Sequence, residues 1–373
     1  MAKITDKFFE LIQISLGNKA GFEQTPSEKE WSQLFDLSCM QSLESVALEG
    51  VNKIKIDNPN ANLNIDINLL LEWIGIQQQT IAENKNQNQR TKELYEIFKN
   101  AGYRSCVLKG QGTALYYEHP EYRQCGDIDI WIKKNRRCKT DDIRSDVLQF
   151  AKSQGYHIGH VDIKHSDIDF FEDVPVEVHF LPSWMYNPST NKKLQKFFEK
   201  QSERQFDNYD EKAGFTHTTV EFDLVFSIVH IYRHIFSEGI GLRQLMDYYY
   251  ILINSSVEQR KQAFEVLESL KMAKFVGGIM WILSECFGIK EEYLLCPANE
   301  RHGKYLLSEI LKAGNFGQYD ERMLRIDKEK RFERGFVQLK RNLRFVGYYP
   351  SEVLWSPFWK LWHWVWRKQK GYL

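Results

Sequence analysis

The sequence predicts an α+β fold, a mixed sheet flanked by helical regions on its N- and C-terminal sides. Three observations carry that reading. Strand-like runs are concentrated between residues 103 and 182: Ser105-Cys106-Val107-Leu108, Gly126-Asp127-Ile128-Asp129-Ile130-Trp131-Ile132 and Val174-Pro175-Val176-Glu177-Val178-His179-Phe180 are short and apolar or alternating. Helical spacing prevails on both sides of them, from Trp31, Leu34 and Phe35 to the apolar run that opens at Glu221. Within the stretch, a helical segment over roughly 140–154 separates the second strand from a hairpin, a crossover that suits a mixed sheet with helices to one side.

The 373 residues suggest two domains or one large one, enough to bury a substantial core. Along the chain the division is a helical N-terminal region over 1–95, a sheet-bearing core over 96–185, a helical C-terminal domain over 186–347 and a Trp-rich tail over 348–373. Fifty Lys and Arg balance fifty Asp and Glu, so no global field favours nucleic acid, and a nucleic-acid partner is not expected. The six cysteines (Cys39, Cys106, Cys125, Cys138, Cys286 and Cys296) are scattered without a C-x-x-C pair and read as reduced thiols. The start holds no apolar run long enough for a signal peptide, and no stretch reaches the length of a spanning helix, so the expected location is the cytoplasm.

Each element follows from local chemistry. Thr25-Pro26-Ser27-Glu28-Lys29-Glu30 has the form of a capped helix start, and Asn58-Pro59-Asn60-Ala61-Asn62 is a loop. Leu69, Leu70, Leu71 and Trp73 begin a longer helix that runs through a polar Gln/Asn-rich stretch and ends at Leu94, Ile97 and Phe98. This N-terminal region is read as support without chemistry. After the first strand, Ala114-Leu115-Tyr116-Tyr117 is read as the opening of a helix that His119-Pro120 stops. Val147, Leu148 and Ala151 give the crossover helix its buried stripe, and Gly155 caps it. Asp167-Ile168-Asp169 is read as the outer strand of a hairpin with the Glu177 strand.

Beyond Asn187-Pro188 the pattern is helical again. His230 and His234 have a spacing that a metal can use, but no Glu follows the first His as in a zinc-protease motif, and contact with the sheet domain or a substrate is the preferred reading. Arg243 and Asp247, four apart, can pair. The run Asp327-Lys328-Glu329-Lys330-Arg331 reads as solvated surface. The tail places five Trp between Trp355 and Trp366. Packing or a protein contact is the first reading of it, and a weak membrane contact the second. Nothing in the sequence sets the oligomeric state.

The chemistry concentrates between Val107 and Lys133. Lys109-Gly110-Gln111-Gly112-Thr113 follows a strand, and its two glycines let the backbone turn sharply and offer N–H groups to a ligand. In the second strand Asp127 and Asp129 share one face while Ile128, Ile130 and Ile132 share the other. Adjacent carboxylates repel unless a cation offsets them, and Mg2+ (or Mn2+) takes one or two carboxylates together with substrate phosphates. A phosphate turn and a metal-binding pair about fifteen residues apart suggest nucleotidyl transfer. Lys109 and Arg123 flank the motif and can hold a triphosphate. For Arg123, pairing with Glu118 or Glu121 is the structural alternative.

The pattern LKG…LY…P…R..GDIDI resembles the polymerase-beta-type nucleotidyltransferase superfamily. Within it the chain is similar to an uncharacterised bacterial family with a strand–Lys-Gly–helix opening and an R-x-x-G-D-x-D strand. The resemblance implies a polymerase-beta-like nucleotidyltransferase sheet over 96–185 and a third carboxylate on a neighbouring strand. Glu177, in an acidic-x-His strand like the family's, is the candidate; the D-x-D of Asp167 and Asp169 competes but lacks a preceding glycine turn. The sequence departs at the turn, where Gly110-Gln111 stands in place of Gly-Gly or Gly-Ser and a hydroxyl has to come from Thr113. The resemblance extends to the helical region of His230, Arg243 and Asp247, which gains a secondary site role beside the structural one.

The implied reaction is two-metal, in-line transfer of a nucleoside monophosphate from a nucleoside triphosphate such as ATP. Asp127, Asp129 and Glu177 are the catalytic and metal-holding residues; Lys109, Gly110, Gln111, Gly112, Thr113 and Arg123 hold the nucleotide. The acceptor is a hydroxyl on a small molecule, a sugar or a protein. The alternative reading is a non-catalytic module that keeps the fold and binds a nucleotide or a partner.

Overall fold

The computed structural model describes residues 2–134, 140–320 and 342–372. In chain order the elements are α1 (Ala2–Ser15), α2 (Glu28–Gln41), α3 (Glu44–Asp57), α4 (Ile67–Asn100), β1 (Arg104–Val107), α5 (Gln111–Ala114), β2 (Ile128–Lys133), α6 (Thr140–Ser153), β3 (Ile158–Val161), β4 (His165–Ile168) and β5 (Val176–His179). There follow α7 (Pro188–Phe206), β6 (Tyr209–Asp210), β7 (Phe215–Thr216), α8 (Val220–Ser237), α9 (Leu242–Ile253), α10 (Val257–Ser269), α11 (Ala273–Phe287), α12 (Glu300–Ala313) and α13 (Pro350–Lys370). The acidic–basic run Asp327–Arg331 and Cys138 lie outside the described residues.

Two compact units are present, and each draws on non-consecutive segments. The first comprises Met1–Asn84, Tyr116–Gln124 and Ile231–Val337; the second comprises Lys85–Leu115, Cys125–His230 and Gln338–Leu373. The four regions read from the sequence divide the chain along its length, whereas these units divide it in space.

The first unit is helical. Its second helix begins as the sequence predicts: Ser27 and Glu30 form a capping box, with the Ser27 amide donating to the Glu30 carboxylate at 2.8 Å. Large aromatics bury their rings and satisfy their polar atoms: Trp31 Nε1 donates to the Leu63 carbonyl at 2.5 Å and Trp73 Nε1 to the Glu44 carbonyl at 2.8 Å.

The second unit carries the sheet, in the order β1-β2-β5-β4-β3. The β2–β5 pair is parallel and its neighbours are antiparallel, so the sheet is mixed as expected. The crossover through α6 makes the parallel pairing reachable. Ile128, Ile130 and Ile132 of β2 and Val176 and Val178 of β5 build one core face with Ile143, Val147 and Ala151 of α6 and Leu94 and Phe98 at the end of α4.

Three details depart from the sequence reading. Helices cover both faces of the sheet: Trp131, pointing opposite to the isoleucines, lies 4.7 Å from the Phe206 ring of α7 and 6.0 Å from Phe222 of α8. A large indole on the second face needs its own cover. The strand β4 is not outermost, because β3 pairs outside it; Asp162 turns the chain between them by accepting the Lys164 and His165 amides at 2.6 and 2.7 Å. The helix after the glycine turn is the single turn α5 and ends before Leu115. Pro120 opens a 3-10 turn, Pro120–Tyr122, within the first unit, where Tyr117 stacks on Tyr250 at 4.1 Å and donates its hydroxyl to Asp247 at 2.6 Å. That anchoring replaces further helix.

The tail forms α13. Its inward side packs Trp359 on Trp184 at 4.2 Å and Trp366 over the Arg144 guanidinium at 4.9 Å. The Glu352 carboxylate accepts the Tyr186 and Asn187 amides at 2.7 and 3.1 Å. Trp355, Phe358, Trp359 and Trp362 form one wall of a groove of about 400 Å³ that Met185 and Tyr186 close on the other side. Among the described residues no helix is long and apolar enough to cross a membrane.

Candidate active site

The second face of the sheet gathers the charged residues. Alternation along β2 puts Asp129 on the face opposite the isoleucines. Parallel pairing sets Asp129 beside Glu177 and Trp131 beside His179; antiparallel pairing sets Asp167 beside Glu177 and His165 beside His179. The register alone therefore assembles one face from three strands. Asp127, just ahead of β2, joins it: ligand atoms of Asp127, Asp129 and Glu177 all lie within 4.8 Å of one another.

The turn before α5 closes the site from β1. Gly110 adopts φ 63° and ψ −116°, a conformation that favours glycine. Gly112 fits because a Cβ there would stand 3.1 Å from the His217 Cβ. Lys109 reaches back over the carboxylates, its Nζ 2.9 Å from Asp129 Oδ2 and 3.5 Å from Asp127 Oδ1. The amide Nε2 of Gln111 donates to Asn88 Oδ1 at 2.9 Å, and Thr113 is buried.

The electrostatics follow from this crowding. Desolvation and the adjacent Asp129 push the Asp127 carboxyl up. Asp129 is almost fully buried, which alone would raise its pKa, yet Lys109 and the His179 hydrogen bond hold it below the ordinary carboxylate range. Burial acts against Glu177 as well and is outweighed by His179, Lys164, His165 and Lys109, so it too stays anionic. Burial pulls Lys109 down, and the three carboxylates more than reverse this. His179 Nε2 lies 2.7 Å from Asp129 Oδ1 and 3.3 Å from Glu177 Oε2; burial and Lys164 act against its proton, and these carboxylates raise its pKa overall. His165 goes the other way: burial and Lys164 lower it to about 4, leaving a neutral imidazole near pH 7.

Of the residues singled out in the sequence, the structure therefore groups Asp127, Asp129, Glu177 and Lys109 around one point, with the Gly110–Thr113 turn on the strand next to β2. Asp167 shares the Glu177 face, while Asp169 lies beyond β4 against His157 at 2.8 Å. Arg123 belongs to the first unit. Its Nε and Nη2 donate to the two oxygens of Asp247 at 2.8 and 2.9 Å, a partner neither Glu118 nor Glu121 supplies. Arg243 Nη1 donates to the Gln124 carbonyl at 2.9 Å. His230 and His234 fall in neither group of metal-capable side chains found among the described residues.

Two kinds of residue escaped the sequence reading. His165 was legible in principle, since His165 and Asp167 alternate like Glu177 and His179. Gln87, in the Gln/Asn-rich part of α4, donates Nε2 to the carbonyls of Gly126 and Asp127 at 3.0 and 3.2 Å and so fixes the start of β2. This part of α4 thus positions the strand that carries Asp129.

A mixed α+β sheet that places a lysine–glycine turn beside three carboxylates on one face has the architecture of a nucleotidyltransferase. Comparison with known families agrees. A family described as uncharacterised nucleotidyltransferase matches residues 27–288, well over half of the chain, and the protein belongs to that family. The match covers the sheet and ends before α12, leaving α13 outside it. No curated protein matches the sequence.

Proposed function

We propose that the protein transfers a nucleoside monophosphate from a nucleoside triphosphate to an acceptor hydroxyl, with Asp127, Asp129 and Glu177 holding divalent cation. The observation that supports this most is the convergence of these three carboxylates within 4.8 Å on a face flanked by a glycine turn. Oxygen-only donors of this kind suit a hard ion, Mg2+ or Mn2+. When bound, such an ion neutralises the carboxylates and the triphosphate and polarises the phosphorus under attack.

The chain's own residues have distinct tasks. Asp129, buried and held by His179, is the fixed member of the set, whereas Asp127 and Glu177 are about one third and one quarter exposed and face incoming ligand. Lys109 neutralises the pair while no substrate is present; its flexible ammonium is placed to follow the negative charge onto the β- and γ-phosphates. The Gly110–Thr113 turn supplies backbone N–H groups to the same phosphates. In the reaction the acceptor oxygen bonds to the α-phosphorus and the bond to the bridging oxygen breaks. Pyrophosphate leaves, and the acceptor proton passes toward Glu177 and solvent. Arg123 contributes to nucleotide binding only by exchanging Asp247 for phosphate.

The acceptor we favour is a small molecule, a sugar or a protein, because the balanced charge gives no general pull on nucleic acid. Five scattered free thiols among the described residues support a cytoplasmic location. The contact expected of the Trp-rich tail we place on the outer stripe of α13. Leu354, Phe358, Leu361 and Val365 recur at spacings of four, three and four, flanked by Trp355 and Trp362, and all are exposed. The helix carries Lys360, Arg367, Lys368 and Lys370 against Glu352, and this combination supports an anionic bilayer surface as the occupant.

One observation favours the non-catalytic reading: Lys109 already supplies a cation to the carboxylates, and the turn has Gln111 where the superfamily has Gly or Ser. A turnover assay separates the two. Incubated with α-labelled nucleoside triphosphates, Mg2+ and pools of hydroxyl-bearing acceptors, a transferase releases pyrophosphate in step with label on the acceptor. Triphosphate binding with no pyrophosphate release from any pool supports the binding module.

A further inference from the structure

Beside the three carboxylates the same face carries a second, chemically different donor set. Strands β4 and β5 place His165 opposite His179, with Glu177 between them on the shared face. His165 Nδ1 lies 3.3 Å from Glu177 Oε2, and His179 Nε2 lies 3.3 Å from that same oxygen. Ligand atoms of all three side chains fall within 4.8 Å of one another. Four-coordinate zinc bound at about 2.0–2.1 Å spaces neighbouring donor atoms about 3.3 Å apart, so the separations suit one ion touching all three.

Two further facts suit these imidazoles to ligation. His165 Nδ1 is buried and makes no hydrogen bond among the described residues. That is costly for a polar atom unless something binds there. His179 Nδ1 faces the Leu181 carbonyl at 3.3 Å, the outer contact that commonly fixes a metal-ligating imidazole with its other nitrogen turned to the ion. That other nitrogen, Nε2, points between Glu177 and Asp129.

We propose that His165, Glu177 and His179 form a binding site for a borderline transition-metal ion of the Zn2+ or Co2+ class, separate in chemistry from the oxygen-lined site and sharing Glu177 with it. Imidazole nitrogens select such ions, whereas Mg2+ takes oxygen ligands and sheds water reluctantly. The site rests on its own donors and does not require nucleotidyl transfer.

The test is titration of the metal-free, full-length protein with Co2+ alone, followed by visible absorption and calorimetry. The wild type is expected to bind Co2+ with the ligand-field bands of a nitrogen-ligated ion, and a hundredfold excess of Mg2+ should not remove them. His165→Ala and His179→Ala should each weaken binding at least tenfold and shift the bands, while Asp127→Asn should leave them in place. His165 is partly exposed at the first position of β4, so its variant can be checked for an unchanged thermal transition and carries the test if His179→Ala fails to fold. Unchanged Co2+ affinity in His165→Ala, or full displacement by Mg2+, overturns the inference. Nitrogen-ligated Co2+ without triphosphate binding in any metal leaves this site standing and removes the transferase reading; triphosphate binding without nitrogen-ligated Co2+ does the reverse.

Discussion

Replacing Asp247 by Asn tests whether the Arg123–Asp247 pair is a buried buttress of the first unit. Asp247 accepts three charge-assisted hydrogen bonds, from Arg123 Nε at 2.8 Å, Arg123 Nη2 at 2.9 Å and the Tyr117 hydroxyl at 2.6 Å. The Arg123 side chain is 5% exposed and that of Asp247 13%, so water compensates little when the charge is removed. Asparagine keeps the shape and one acceptor but leaves the guanidinium without its counter-ion. Breaking a buried pair from one side costs about 3–5 kcal/mol. The assay is urea denaturation followed by far-UV circular dichroism, with the midpoint shift converted through an unchanged m-value. An Arg123→Met/Asp247→Leu double variant should recover part of the loss, because no charge is left unpaired. A loss below about 1 kcal/mol for Asp247→Asn, the scale of exposed pairs, would refute the reasoning.

Three further outcomes follow from the same structure. Glu44 has a buried Oε2 without a hydrogen bond among the described residues, and burial lifts its pKa from 4.5 to about 7 with Arg243 opposing only in part. The folded state therefore binds this proton more tightly, so stability falls as pH rises from 4.5 to about 7 and is level beyond; Glu44→Gln should flatten that slope and add up to about 3 kcal/mol at pH 8, measured by urea midpoints across pH. Gly110→Ala forces a side chain into a glycine conformation and should cost about 1–3 kcal/mol while weakening triphosphate binding; an unchanged melting temperature and affinity would show that the turn tolerates a Cβ. Phe358→Glu with Leu361→Glu, at residues 67% and 63% exposed, should lower partitioning onto phosphatidylserine-containing vesicles at least tenfold without altering the circular dichroism spectrum, and equal partitioning of variant and wild type would remove the bilayer from α13.

What the sequence made legible depended on how local the signal was. The alternation in Asp127-Ile128-Asp129-Ile130 specifies its faces within four residues, and the Ser27–Glu30 capping box is complete within one turn. The mixed sheet and its crossover helix were likewise readable, because each element announces its own period. Contacts between distant segments were not. The partner of Arg123 stands 124 residues away, while the sequence offered Glu118 and Glu121 close by. The polar stretch of α4 carries no apolar period to mark a buried face, yet Asn84, Gln87 and Thr91 are buried and bond to backbone. Trp131 occupies the carboxylate face of its strand, and only tertiary packing shows that Phe206 and Phe222 cover it. His165 was overlooked beside the acidic Asp167-Ile168-Asp169, although period two already set it on the Glu177 face.

The central claim is that Asp127, Asp129 and Glu177 hold the cation that carries a nucleoside triphosphate. It is tested most directly by calorimetric titration of each triphosphate with and without Mg2+, on the wild type and on an Asp127→Ala/Asp129→Ala variant of unchanged fold. The account predicts Mg2+-dependent binding of at least one triphosphate by the wild type, lost in the variant. Binding that ignores Mg2+ or survives the double substitution, or no binding of any triphosphate by well-folded wild type, would contradict it.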